Sequence, residues 1–478
     1  VTDVERPLAE ARLWGDERIA TPIGPIALAH SYFDDAASQR LYDEMDYQRA
    51  CQAYVWSTPL VSMMGWQEAQ GAAFGVTGDT DFVVLDTLRE KRGIVTANLT
   101  TPYILNFISL ADGPLEIRYP AGKTAGGVLD FWQRPLCDLG LTGPDRGQGG
   151  TYIIVGPGDD PAAFARDGAH VFRSETNRLL VGLRILDQTP GFFERVQAEL
   201  VWGRVGQKLT PSRYIVGRDV EWDATAPRGL DYWRLLALAL KDEPVRAIDK
   251  GWTAMLRPLG IAGDLPFAPD ARQQRILADG AAMGELMTRN LSVNPRFAAP
   301  WWAGTHWYKC VDFQLPQELA DRAEIDERAA WFYEAVTTTE GMVNPVVGAG
   351  QVYMTTKHDG AGRMLRADRT YRLRVPPNVP AAQFWSLTLY SANTRRPYDN
   401  GGDTIASTSL DSLTEGLQVN ADGSVDLYVG AKAPAGRERN FMATVGVDGW
   451  FVYFRLYAPL EGFFDKSWQM GDFEEISA

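Results

Sequence analysis

FWSLTLYS (384–391), VNADGSVDLYVG (419–430) and WFVYFRLYAP (450–459) fall within residues 351–465 and read as strands of one all-β module. Each run alternates or concentrates β-branched and aromatic residues, as a strand with a buried face requires. Asn420-Ala-Asp-Gly423 supplies hairpin turn chemistry between apolar runs. Recurring strand and turn signals of this kind predict a jelly-roll β-sandwich over 343–478. Concave jelly-roll faces can hold small ligands or sugars.

Upstream, the period changes. From about 191 to 342 the chain is expected to be mainly helical, because DYWRLLALAL (231–240) and ARQQRILADGAAMGELMTRN (271–290) carry apolar stripes. QELADRAEIDERAAWFYEAV (317–336) adds good helix formers with dense charge. Residues 72–190 return to short strands, among them YILNFISLAD (103–112) and RLLVGLRILD (178–187), separated by Gly, Pro, Asn and Asp. Their spacing predicts an N-terminal immunoglobulin-like β-sandwich. Residues 1–71 read as a helical segment, with Leu41, Met45, Tyr47, Ala50 and Tyr54 at helical spacing over 31–70. The expected class is therefore multidomain α+β.

At 478 residues the chain exceeds one core, and 45% apolar with 23% charged residues is ordinary for a soluble globular protein. A net charge of −14 argues against nucleic-acid partners, which need clustered Lys and Arg. No apolar run approaches a membrane span, and the N-terminal VTDVERPLAEARLW lacks a leader pattern. Cytoplasmic and periplasmic locations both fit. Cys51, Cys137 and Cys310 are too few and scattered for a disulfide framework, and read as buried free thiols or as one disulfide with a free thiol.

These segments resemble a bacterial pair of domains of unknown function, the families numbered 1254 and 1214. The first is suggested by AYVWSTPL (53–60), NLTTPYIL (98–105), and GPLEIRYP followed by GGTYIIVGPG; the second by YMTTKHDGAGRMLRADRTYRLRVPPNVPAAQFWSLTLY (353–390), NADGSVDLYVG and FRLYAP. The resemblance implies an immunoglobulin-like sandwich, a helical insertion and a jelly roll, without an established reaction. Asn98-Leu-Thr-Thr-Pro-Tyr103 stands where the first family has Asn-x-Asp-Thr-x-Tyr, so Thr100 replaces an acid; Asn440-Phe441 stands where the second has Asn-Trp. Asn98 and Tyr103 of that motif join the candidate substrate-binding residues.

No nucleophile elbow, zinc helix, Walker loop, kinase set or Rossmann fingerprint occurs, and no cofactor or metal is expected. The four histidines are His30, His170, His306 and His358. Tyr353, Lys357 and His358 form the densest polar cluster; strand alternation places Tyr353, Thr355 and Lys357 on one face and Thr356 and His358 on the other. A Lys desolvated there would act as a base, and the alternative is a solvated turn before Gly360. THWYKC (305–310), after Trp301-Trp302, supplies His306, Trp307, Tyr308 and Trp302 either as pocket walls or as an interdomain plug. Arg184 and Arg455 lie inside apolar strands, so each requires a carboxylate, backbone carbonyls or an anionic ligand.

Three functions follow. The first is an enzyme acting on a small organic molecule by hydrolytic or lyase chemistry in an interdomain pocket, without a redox cofactor. Lys357, His358, Tyr353 and His306 would be catalytic; Trp307, Tyr308, Trp302, Asn98, Tyr103, Arg184 and Arg455 would bind substrate. The second is a noncatalytic small-molecule or saccharide-binding protein. The third is an assembly protein whose aromatic patches meet other copies, as a homo-oligomer.

Overall fold

A computed structural model describes residues 5–187, 189–217, 220–263 and 265–477. The ends of the segments read as 1–71 and 343–478, which hold the start of the N-terminal stretch read for a leader pattern, and positions 188, 218, 219 and 264 lie outside the described residues. The fold is multidomain α+β, with mainly antiparallel sheets. It opens with a small four-stranded sheet over 6–33 rather than helix. The short runs Glu17–Thr21 and Gly24–Ala29 alternate, burying Ile19, Ile26 and Leu28.

A 40-residue helix, Asp35–Phe74, follows. The Asp34 carboxylate caps it by accepting from the Ala37 N–H at 2.7 Å, and Gly75 ends it in the left-handed region at φ 63°. Its first turns are half-exposed: Met45 faces solvent, while Asp46 is buried against Arg272 at 2.9 Å. From Ala50 to Trp66 nearly every side chain is buried, because helices Leu230–Asp242, Ala271–Val293 and Ile325–Glu334 surround it.

Strand structure runs from Asp81 to Val216, past the boundary expected at 190. Strands Val201–Arg204, Thr210–Pro211 and Arg213–Val216 complete a five-stranded and a six-stranded sheet. The helical layer therefore begins near Leu230. The two sheets share one core: Ile104, Val128 and Val181 from the six-stranded sheet meet Leu115, Ile117 and Tyr152 from the other. The opposite face of the six-stranded sheet, with Leu105, Phe107, Leu129 and Leu180, packs against the long helix.

The C-terminal region is a second pair of sheets, five- and four-stranded, over a core that includes Val352, Met354, Leu387, Phe454, Leu373 and Leu427. The edge strand Tyr308–Lys309 pairs with Gln351–Thr356, which draws the 305–310 segment into this unit. The outer face of the five-stranded sheet carries Tyr353, Tyr390, Phe451 and Tyr453, and packs on Trp331 and Phe332 of helix Ile325–Glu334. All three cysteines are free thiols. Among the described residues, no helix is long and apolar enough to cross a membrane.

Candidate functional site

Alternation along three neighbouring strands builds the floor of a cavity between the N-terminal and C-terminal sheets. Strand pairing places Arg184 between Tyr103 and Ala125, Gly182 between Leu105 and Gly127, and Leu180 between Phe107 and Leu129. Side chains two residues apart share a face, so three rows run from polar to apolar across the sheet. The middle row is low: Gly182 and Gly127 lack side chains, and a Cβ at 182 would come within 2.8 Å of Leu105 Cδ2. A glycine inside a strand marks such a close approach or open space. The resulting chamber has a volume of about 110 Å³.

The roof comes from the C-terminal sheet. Tyr353 lies opposite Arg455 across paired strands, with Gln351 and Tyr453 on the same face. The Arg455 guanidinium, 2% exposed, lies 4.9 Å from the Tyr353 ring centre and 5.2 Å from that of Tyr453. It donates to the Tyr390 hydroxyl at 2.8 Å, the Thr96 carbonyl at 3.1 Å and the Thr388 hydroxyl at 3.2 Å. Asn98 ties floor to roof: its side-chain amide donates to the Tyr457 hydroxyl, and its backbone N–H to the Tyr103 hydroxyl at 2.9 Å.

Charge in this chamber is one-sided. Burial opposes the Arg184 and Arg455 charges, yet the phenol oxygens around them hold both guanidiniums above the usual Arg range. Burial likewise pushes the Tyr103 and Tyr457 phenols up, so at neutral pH they contribute dipoles without a negative charge. Neither arginine has a carboxylate partner among the described residues. Nearby Lys91 donates to the carbonyls of Leu99 and Thr101 at 3.1 and 2.9 Å, and burial pushes its amine down to about 7. No Asp, Glu, His or Lys is among the described residues that line the chamber.

Lys357, His358 and Tyr308 lie in a second, smaller cleft of about 40 Å³. Lys357 Nζ is 2.7 Å from Glu334 Oε2, an oxygen that also accepts from Ser292; Tyr453 donates to the other oxygen at 2.6 Å. Lys357 Nζ thus meets a carboxylate as well as the Phe451 ring, whose centre is 5.1 Å away. His306 packs its ring 5.6 Å from that of His358, and its Nδ1 is 2.9 Å from Asp472 Oδ2. Burial, then the charges of His306 and Lys357, hold the His358 imidazole below its usual range. Asp359 is buried and anchors the turn after His358 by accepting from the Ala361 and Arg363 backbones, while Gly360 to Met364 are exposed to solvent. Among the described residues no group of three His, Cys, Asp or Glu side chains is placed to hold a metal ion.

The two segments singled out in the sequence are therefore neighbours, but they divide between cavities. Tyr353, with Asn98, Tyr103, Arg184 and Arg455, lines the large one, while the 305–310 segment reaches only the small one. Trp302 and Trp307 line neither. They are fully buried in the C-terminal core, where their indole N–H groups donate to the carbonyls of Trp468 and Gly471. Sequence reasoning passed over Gly127, Gly182 and Thr96, although glycines inside apolar strands were a usable signal.

Residues 80–200 match a family described as "Protein of unknown function (DUF1254)", and residues 350–461 match "Protein of unknown function (DUF1214)". The chain carries both domains. Tyr103 and Arg184 thus belong to the DUF1254 region, and Tyr353 and Arg455 to the DUF1214 region. No curated protein matches the sequence. Among solved structures, the VPA0106 protein from Vibrio parahaemolyticus aligns with a TM-score of 0.54 at 16% identity, over 90% of this chain and 100% of that one, which shows a shared fold. A putative uncharacterized protein from Burkholderia cenocepacia aligns at a TM-score of 0.40 and 13% identity, over 92% and 97% of the two chains.

Proposed function

We propose that this chain binds a small organic molecule in the chamber between its DUF1254 and DUF1214 sheets. The observation that carries the reading is the glycine-floored chamber itself, where two sheets that could have packed closed leave space lined by converging Tyr, Arg, Asn and Gln side chains. Filling the space tests it. A Cβ at Gly127 meets its nearest atoms at 3.3 to 3.8 Å, so the rest of a leucine side chain would project into the opening. Saturation-transfer NMR on the full chain with a small-molecule mixture should give bound compounds that Gly127→Leu no longer binds, with unchanged circular dichroism. Equal binding by both proteins would move the site elsewhere.

A second reading, hydrolytic or lyase catalysis without a redox cofactor, is supported by the Tyr103 and Tyr353 phenols beside guanidiniums. The Lys357, Glu334, His358 and His306 cluster in the adjoining cleft adds to it. Lys357→Met tests it once a substrate is found: unchanged turnover in a folded variant rejects that cluster. The two sheet pairs are read as immunoglobulin-like and jelly-roll sandwiches of a soluble protein, a reading supported by their shared cores. Exposed Trp14, Tyr32, Phe33 and Tyr42 support assembly with further copies of the chain.

A further inference from the structure

The chamber's two ends differ in chemistry, and the difference is built by strand register. Arg184 occupies the row that also holds Tyr103, while Leu180, Phe107 and Leu129 occupy the row four residues away along the strand. At roughly 3.3 Å per residue that separation is about 13 Å. The glycine row lies between them. A ligand lying along the floor would therefore have one end among guanidiniums and phenols and the other among hydrocarbon side chains.

The polar end has an unbalanced charge. Arg184 and Arg455 are close enough for each positive charge to disfavour the other. Arg455 is buried, with its Nη atoms donating to two neutral hydroxyls and a carbonyl and its Nε without a partner among the described residues, while Arg184 makes no side-chain hydrogen bond to the described residues and is partly accessible from the chamber. Elsewhere in this acidic chain, Arg134 meets Asp130 at 2.6 Å and Arg246 meets Asp249 at 2.5 Å, whereas buried Arg328 donates to the Trp56 carbonyl at 3.1 Å; what sets the chamber apart is that two guanidiniums line one cavity without a carboxylate among its described lining residues. Burying two like charges without a counter-charge is costly, and an anion between them removes the cost. Guanidinium forks match the planar two-oxygen geometry of a carboxylate.

We propose that the chamber takes a small organic acid, with its carboxylate held by Arg184 of the DUF1254 sheet and Arg455 of the DUF1214 sheet. Its apolar body lies over Gly182 and Gly127 toward Leu180 and Leu129. The proposal rests on the reading of the chamber as a small-molecule site and adds the ligand class. Inorganic phosphate would satisfy the charge but leave the apolar row unused.

The test is calorimetric titration of the full chain with phenylacetate and hexanoate, with their neutral counterparts phenylacetamide and hexanamide, and with inorganic phosphate. The acids should bind at least tenfold more tightly than the amides. Arg184→Met should weaken the acids at least tenfold and leave the amides within twofold, and Arg184→Lys should recover part of the loss. Circular dichroism checks folding. If Arg184→Met fails to fold, Arg184→Lys and the acid-to-amide ratio of the native chain carry the test. Amides binding as tightly as acids, or acid affinity unaffected at Arg184, overturns the acid assignment while leaving the chamber as a site. Phosphate binding without acid binding also overturns it. If no compound of either class binds, the small-molecule reading falls as well.

Discussion

Arg184 concentrates the energetic conflict of the chamber, because its charge is repelled by Arg455 and has no carboxylate partner among the described residues. Burial and Arg455 oppose its charge while the surrounding phenol oxygens favour it, so the opposing effects largely offset. Arg184→Met is therefore expected to change the stability of the ligand-free chain by no more than about 1 kcal/mol, measured by urea unfolding. A larger loss would mean that the guanidinium is structural. A different residue, Glu243, gives the clearest pH effect. Burial pushes its carboxyl up to about 7, although the backbone N–H groups of Asn177 and Arg178 favour its charge. Its raised native value means that folding takes up a proton between the ordinary carboxyl range and about 7. The stability it contributes is fully present below that ordinary range and is lost as pH rises through about 7. Glu243→Gln removes this dependence, so the variant should gain on the native chain by up to about 3 kcal/mol between pH 4 and pH 8. Parallel stability curves for the two proteins would refute the assignment.

Helix Ala271–Val293 crosses the long helix at two glycines. A Cβ on Gly280 would lie 2.4 Å from Ala50 Cβ, and one on Gly284 would lie 2.4 Å from Tyr54 Cβ. Gly284→Ala should therefore cost about 1–3 kcal/mol in chemical denaturation, and a neutral result would show that the crossing can relax. Elements with a sustained period were legible: the apolar stripes of 231–240 and 271–290 became helices Leu230–Asp242 and Ala271–Val293. Elements decided by tertiary contacts were not. QELADRAEIDERAA is rich in helix formers, yet Gln317 sits at φ 60° with its side-chain amide donating to the Trp132 carbonyl, and the helix begins only at Ile325. The N-terminal sheet was missed because its strands are short and bury few apolar side chains. The strands after 190 were missed because they complete sheets begun by distant segments, which local pattern does not reveal.

At the scale of the whole molecule, two sheet pairs with separate cores meet across a helical layer and enclose the chamber. Arg184 and Arg455 were legible as residues of interest because a cation in an apolar strand demands a partner. Their convergence was not, since it depends on which sheet faces meet. Trp302 and Trp307 were misplaced because composition does not distinguish an aromatic that walls a pocket from one that fills a core. The Asn98 bond to Tyr457 is one direct link between the two regions. Asn98→Ala should lower stability by about 1–3 kcal/mol by leaving a buried phenol unpaired, and unchanged unfolding would show that the link is dispensable. The central claim is that floor and roof together form a ligand site. A crystal structure of the full chain grown with phenylacetate tests it most directly. The account predicts density for the ligand in the chamber, with its carboxylate between the Arg184 and Arg455 guanidiniums and its ring over Gly182. A chamber holding only water at saturating phenylacetate, or phenylacetate bound only outside it, would contradict the account.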